Sequence, residues 1–510
     1  MHGNRNGSLR RWAVFVAITA ALGLLVWLGW SVLRHRDLLP DVTSVTSDSS
    51  VTVGLVGAPS SLDIRTDADT AVEQALLGNV YETLVARQQD NTLSPGLAER
   101  WEVSEDGLTY TFTIRDGVRF SNGDALDASD VVWSLQQIVQ HAYQGADDLT
   151  RLSEVSNPDG STVVVTLSRP DPRLLRSLAG RAGIVYDAEA DIDYGRQAVG
   201  SGPFTVGDFR TGVSIGLRRN DAYWGDQAAT ATITLRYYAD EDDMVTALHD
   251  GDATMAVALS ASTAQTLSED PTLNVAAGQS LSKTVLAFNN DADSILSDSR
   301  MRQALRYLVD NETLANTQPG AAEALGGPIG PLDPGYEDLT GLFPHDVDQG
   351  AALASYFGTG YYNNGLRLVV QERHQDLAEA IETQIEQGGV PVTVQVLDEA
   401  DYRTTIDARQ FDMTIMTVTG DDTADAYADP SSFSHYTDAV AQEQYDAATS
   451  AANEADYISG MAAFARTVSQ DAASDWLYSC NSYVAAKPRL TGYPTNMVES
   501  WLPLSGVTLG

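Results

Sequence analysis

The stretch from Leu366 to Val418 constrains the fold more than any other part of the chain. Leu366 to Val370 is an apolar run of strand length. Asp376 to Gln387 follows, with Leu377, Ile381 and Ile385 spaced four apart along one helical stripe. Asp376 is placed to cap this helix, and Glu379 completes a capping-box pattern. Gly388-Gly389 ends it, since glycine accepts the left-handed conformation that follows a helix. Val390 to Val396 then carries valines at alternate positions. A strand, a crossover helix and a second strand form a β-α-β unit, and such units build parallel sheets. Phe411 to Val418 reads as a further buried strand. The chain is expected to be an α/β protein.

Other segments alternate in the same way. Thr109 to Ile114 has period two, with Tyr110, Phe112 and Ile114 on one face. Ala128 to Val139 reads as helix and Val163 to Leu167 as strand. At about 150 residues per domain, 510 residues suggest three units or one large two-lobed fold. No internal repeat is visible. Acidic side chains number 70 against 31 basic ones, a net charge of -39. Such a chain is repelled by phosphate backbones, so nucleic acid is excluded as a partner. Its acidic surface favours solubility. Lys283 and Lys487 are the only lysines. Cys480 is the single cysteine, so no intrachain disulfide can form, and without a Cys/His cluster neither a structural zinc nor another cofactor is expected.

Trp12 to Leu33 is a 22-residue run without a charge. At 1.5 Å per residue it spans roughly 33 Å, about the thickness of a bilayer's hydrocarbon core. Arg5, Arg10 and Arg11 precede it, and Trp12, Trp27 and Trp30 sit towards its ends, as interfacial aromatics do. It reads as an uncleaved transmembrane anchor; the alternative is a signal peptide, whose apolar region is usually about 7–15 residues and precedes a small-residue cleavage site. Either way the bulk of the chain lies on the extracytoplasmic side, anchored by the helix, or secreted if it is cleaved. Residues 34–50 are polar and read as a tether.

Several segments, in order, resemble one known family. They include Pro59-Ser60-Ser61-Leu62-Asp63, Val80-Tyr81-Glu82-Thr83-Leu84 and Pro95-Gly96-Leu97-Ala98. The most specific runs from Trp101 to Phe112 and continues as Arg115-Asp116-Gly117-Val118-Arg119-Phe120. Gly200-Ser201-Gly202-Pro203-Phe204, Asn220-Asp221-Ala222-Tyr223-Trp224-Gly225 and Leu286-Ala287-Phe288-Asn289-Asn290 follow. Together they are similar to the extracellular solute-binding proteins of the peptide/nickel class, family 5. The resemblance covers nearly all of residues 51–510. It implies a two-lobed periplasmic-binding-protein-like fold with an extra subdomain in lobe one. Lobe one is expected over 51–285 with the subdomain at about 84–197, lobe two over 286–481, and a return to lobe one over 482–510, after a cytoplasmic segment 1–11 and the anchor 12–33. It also implies a non-enzymatic, monomeric capture protein that closes over a short peptide and hands it to the permease subunits of an ABC importer.

An enclosed peptide needs a partner for its carboxylate and one for its ammonium. Arg373, between the strand Leu366–Val370 and the following helix, lies where anions bind in α/β sheets. It resembles the arginine that holds the peptide carboxylate in dipeptide-binding members, and a bidentate contact suits that role. Asp421, after the strand Phe411–Val418, resembles the aspartate that pairs with the ligand amine. Val418 replaces the tryptophan usual before that aspartate, and the spacing to Asp429-Pro430 is longer than the family's. Counting back from Pro430 puts Ala426 at the acidic position, beside Asp425, so Asp421, Asp422 and Asp425 all stand as candidates. Thr66, Asp67, Ala68, Asp69 and Thr70 resemble the lobe-one segment whose backbone pairs with an extended peptide.

Gly212-Val213-Ser214-Ile215-Gly216 fits the G-x-S-x-G pattern of serine hydrolases, yet Val213, Ile215 and Leu217 alternate through it as in one continuous strand, without the strand-to-helix turn that exposes a nucleophile. The altered residues around Asp421 keep a non-peptide cargo open, such as a nickel chelate, a sugar or another small metabolite. The anchor keeps open a membrane-tethered sensor.

Overall fold

The structure is a computed structural model that describes residues 50–358, 365–420 and 423–510. The apolar run Trp12–Leu33 lies outside the described residues. Among the described residues no helix is long and apolar enough to cross a membrane.

Among the described residues, one 11-stranded sheet spans both lobes. It begins with Val392–Leu397, Leu366–Gln371 and Met413–Val418, and passes to two long neighbours, Asn274–Phe288 and Ser474–Ala486. It continues through Met255–Val257, Ser50–Val56 and Thr232–Tyr238 to Ser214–Arg219 and Phe204–Arg210, and the eleventh strand, Ala321–Ala324, pairs with Ser474–Ala486 off this path. Leu366–Gln371 and Val392–Leu397 are parallel, with Leu366 opposite Val392, and the helix Gln375–Gln387 between them buries Leu377, Ile381 and Ile385. The β-α-β unit is therefore present. Its cap differs from expectation. A 3-10 turn, Glu372–His374, runs straight into the helix, so His374 holds the cap position without a side-chain bond. Asp376 falls in the first turn, where its charge still complements the helix dipole, and Glu379 accepts instead from Gln375 at 2.8 Å.

The two long strands join two hydrophobic cores. One core gathers residues from Val51 to Val257 and from Val484 to Val507. Two adjoining clusters, built from residues between Val285 and Tyr478, make the second lobe. Where the long strands cross between lobes their register slips, Gln279 facing Asn481 but Lys283 facing Ser479. Ser280, Leu281 and Ser282 thus oppose Cys480 alone, a bulge of the kind that bends and twists a strand. Ser280 ties the bulge down by donating to the Cys480 carbonyl at 2.7 Å.

Within lobe one, a separate four-stranded antiparallel sheet runs Ala98–Val103, Thr109–Ile114, Thr162–Leu167, Leu152–Asp159. Tyr110, Phe112 and Ile114 face its core, covered by the helix Ala128–His141, which a reciprocal Asp127/Asp130 capping box starts. Three of the segments that carried the resemblance meet at Glu82. Its carboxylate accepts from Ser201 at 2.7 Å, Tyr223 at 2.8 Å and the Trp224 indole at 2.9 Å. Desolvation raises the Glu82 pKa, and those three donors oppose the shift.

Ser214 does not lie in one strand running through Gly212. Phe204–Arg210 turns at Gly212, where φ is +74°, and Ser214 opens the returning strand. The motif is a β-hairpin with no helix after it, and Arg210 Nε donates to Ser214 Oγ at 3.0 Å.

Candidate functional site

A cavity of about 500 Å³ lies between the lobes. Lobe one and its subdomain supply most of the wall, and Pro334, Asp425 and Tyr457 come from lobe two. Six arginines line it: Arg87, Arg151, Arg169, Arg173, Arg176 and Arg181. In a chain so acidic this concentration of bases is unusual, and it is offset locally by ion pairing. Arg181 bonds Glu73 at 2.9 Å, Arg87 meets Glu499 at 3.2 Å, Arg151 meets Asp171 at 3.6 Å and Arg173 bonds Asp425 at 2.8 Å. The wall thus presents both signs of charge in alternation. A volume of this size falls in the range of roughly 300–1,000 Å³ common for small-molecule sites.

The local fold explains the clustering. Arg173 precedes the short helix Leu174–Ser177 that carries Arg176, and Arg181 opens the following 3-10 turn. Arg176 then reaches Asn91, donating to its carbonyl at 3.1 Å and its Oδ1 at 2.9 Å.

Direct bonds cross between the lobes around the cavity. Asn91 Nδ2 donates to Leu332 O at 2.8 Å, Arg151 Nη1 to Thr449 O at 2.7 Å and Arg173 to Asp425. The described conformation is therefore a shut one.

The residues singled out from the sequence fall in different places. Asp425, in the 3-10 turn Thr423–Tyr427, lines the cavity. Asp421 and Asp422 lie outside the described residues. The segment from Thr66 to Thr70 borders the same region through Arg181, whose guanidinium donates to the carbonyls of Asp67 at 2.5 Å and Asp69 at 3.0 Å. Thr66 closes a turn, Asp67 and Ala68 lie in no regular element, Asp69 is extended and Thr70 opens the following helix. Thr66 and Asp67 donate to Asp63 O, and Asp69 caps the helix Thr70–Leu76 through Ala71 N. Ala68 and Thr70 are exposed. Arg373 is exposed, is not part of the cavity wall and donates to His374 Nε2 at 3.3 Å. Burial, and secondarily the Arg373 charge, push the His374 pKa down to about 4.

Sequence reasoning missed the arginine wall. A signal was present: residues 151–181 carry Arg151, Arg169, Arg173, Arg176 and Arg181 against Glu154, Asp159 and Asp171, a local reversal of the chain's charge balance.

Comparison with known proteins decides the family. The family model described as bacterial extracellular solute-binding proteins, family 5 Middle, matches residues 92–440. The chain belongs to family 5 of the bacterial extracellular solute-binding proteins. It is 25% identical to Di/tripeptide-binding protein 4 of Pseudomonas aeruginosa over 79% of this chain and 82% of that protein. It is 26% identical to Heme-binding protein A of Haemophilus influenzae over 64% of this chain and 66% of that protein. The ABC transporter substrate-binding protein CtaP from Listeria monocytogenes shares the fold, with a TM-score of 0.80 at 18% identity, over 91% of this chain and 99% of that structure.

Proposed function

We propose that this family 5 protein is the cargo-capture component of an ABC importer and that it takes short peptides into the cavity between its lobes. The observation that carries the reading is the wall itself, a cavity of about 500 Å³ with guanidiniums from lobe one and carboxylates from both lobes. A peptide brings one charge of each sign, and each loses its water on closure, so a wall offering both signs lowers the cost of enclosing it. The relative named as a di/tripeptide-binding protein supports the same cargo class. Trp12–Leu33 is the proposed membrane anchor, holding the lobes on the extracytoplasmic face.

The test is the melting temperature of the purified protein with di- to pentapeptides, each free and N-acetylated. A ligand that binds only the native state raises it. A rise with free peptides and none with acetylated ones supports a receptor that reads the amine. No rise with any peptide, in folded and ligand-free protein, rejects peptide cargo. Recovery of the protein with membranes, and its release only by detergent, tests the anchor.

A second reading, a non-peptide cargo in the same cavity, is favoured by Val418 at the position where peptide binders resembling this chain carry tryptophan. The relative named as a heme-binding protein fits it too. Mass spectrometry of small molecules released from freshly purified protein separates the two.

A further inference from the structure

A second cavity, of about 540 Å³, adjoins the first. Arg87 lines both, so the two meet at its ion pair with Glu499, 3.2 Å long. The second cavity is built by lobe one and its subdomain alone. Ala86 and Tyr223 line it together with Trp501 and Ser505 of the returning C-terminal segment. Its wall is therefore the same whether the lobes stand open or shut. Gly78 lets the indole in: a Cβ there would lie 2.7 Å from Trp501 Nε1. Glu82 also faces this space, with its carboxylate already taken by Ser201, Tyr223 and Trp224. Tyr223 and Trp501 offer ring surface there, which suits uncharged groups.

The boundary between the cavities is built to part at one place. Arg87 is buried, and Asn91 Oδ1 accepts from its Nη1 at 3.2 Å, so the guanidinium has a second anchor. The backbone that carries Glu499 is fastened just before it. Met497 N donates to Gln279 O at 3.0 Å, and Asn496 Nδ2 to Gln89 O at 2.9 Å. The part able to swing is the Glu499 side chain, 39% exposed. An ion pair with one partner in water is weak, so parting it costs little. Glu499 also holds a φ of +52°, a left-handed conformation that side-chain-bearing residues rarely keep except where a site demands it.

We propose that the second cavity is a further chamber of the cargo site, that it receives the uncharged residues of a peptide too long for the first, and that the Arg87–Glu499 pair is the partition such a peptide parts. The proposal rests on the reading of the first cavity as a peptide site. A dipeptide stays on the near side of the pair. A hexapeptide is roughly 20 Å long when extended and continues past Arg87 into the second chamber. The chamber thus sets which peptide lengths the protein accepts.

Calorimetric titration of the full chain with a ladder from di- to hexa-alanine tests it. The readout is the ratio of hexapeptide to dipeptide affinity, which a general loss of structure would not move in one direction. Two variants fill the second chamber from different segments, Ala86→Trp and Ser505→Phe. Each is expected to lower the ratio about tenfold or more, because only the longer peptide needs the space. Glu499→Ala removes the partition and is expected to raise the ratio. The unliganded melting temperature of each variant verifies folding. Dipeptide binding without hexapeptide binding in the parent overturns the proposal and leaves the peptide reading standing. So does a ratio unmoved in both filled variants. A ratio that Glu499→Ala leaves unchanged or lowers removes the pair from its assigned role. Binding of no peptide at any length rejects peptide cargo, and the second chamber falls with it.

Discussion

Lys283 and Asp333 form an ion pair shut off from solvent, 1% and 3% exposed, and the same ammonium donates to the Gly420 carbonyl at 3.2 Å. Lys283 stands at the end of the bulge between the lobes. Asp333 also accepts from Gly330 N at 2.8 Å and follows Leu332, the residue that receives Asn91 from lobe one. One buried charge thus joins the crossing strand, the loop docked on lobe one and the loop that leads towards Asp425. Replacing Lys283 by Met leaves the Asp333 carboxylate buried without its cation, at an expected cost of about 3–5 kcal/mol. Urea denaturation measures it. Adding Asp333→Leu should recover most of the loss, because the penalty belongs to the orphaned charge.

Asn91 is buried, has φ of +64° and holds both lobes at once. Its amide donates to Leu332 O, and its Oδ1 accepts from Arg87 and Arg176. Asn91→Ala should cost about 1–3 kcal/mol through buried groups left without partners. Alanine also strains the left-handed backbone, so Asn91→Gly should be the milder of the two. Thermal unfolding ranks them. Solution scattering should show a larger radius of gyration for both, because one of the bonds that hold the lobes shut is gone.

His374 makes stability depend on pH. In the folded protein its ring stays neutral down to about pH 4, against an ordinary value of 6.5. Between those values the unfolded chain binds the extra proton and the native state does not, so stability rises with pH across this window and is lost as pH falls through it. A histidine NMR titration should find a ring that remains neutral to about pH 4. His374→Gln should flatten the dependence of melting temperature on pH between 6.5 and 4.

Gly200 packs against the backbone that carries Glu82. A Cβ there would lie 2.0 Å from Val80 O, far inside contact distance. Gly200→Ala must push two chain segments apart, and the expected loss is about 1–3 kcal/mol or more. Loss of the Trp224–Glu82 bond should appear as a change in tryptophan fluorescence.

Local pattern made much of the fold legible. Tyr110, Phe112 and Ile114 alternate in the sequence and face the subdomain core together, because a period of two is a property of the strand itself. Leu377, Ile381 and Ile385 are equally plain on their helix. The helix starts at Gln375 and not after Asp376, because the 3-10 turn Glu372–His374 runs into it, and no side-chain pattern marks that turn. The cleft was harder still. Asp425 could be named as an acid, but its partner Arg173 stands 252 residues away, and nothing local to either says that they meet. The arginine wall draws on Arg87 as well as on the cluster after Arg151, so only folding brings its members to one surface.

The two long neighbouring strands also set an order of assembly during synthesis. Lobe two is built from residues that leave the ribosome consecutively, up to Tyr478. Lobe one is not: Met255–Val257 lies between Ser50–Val56 and the end of Ser474–Ala486, with Met255 opposite Ala486. Its sheet stays open, with an unsatisfied edge, until Ser474–Ala486 has been made. A chain arrested shortly after residue 478 would carry a complete second lobe on an unfinished first one, and the exposed edge of Met255–Val257 would be its most adhesive part.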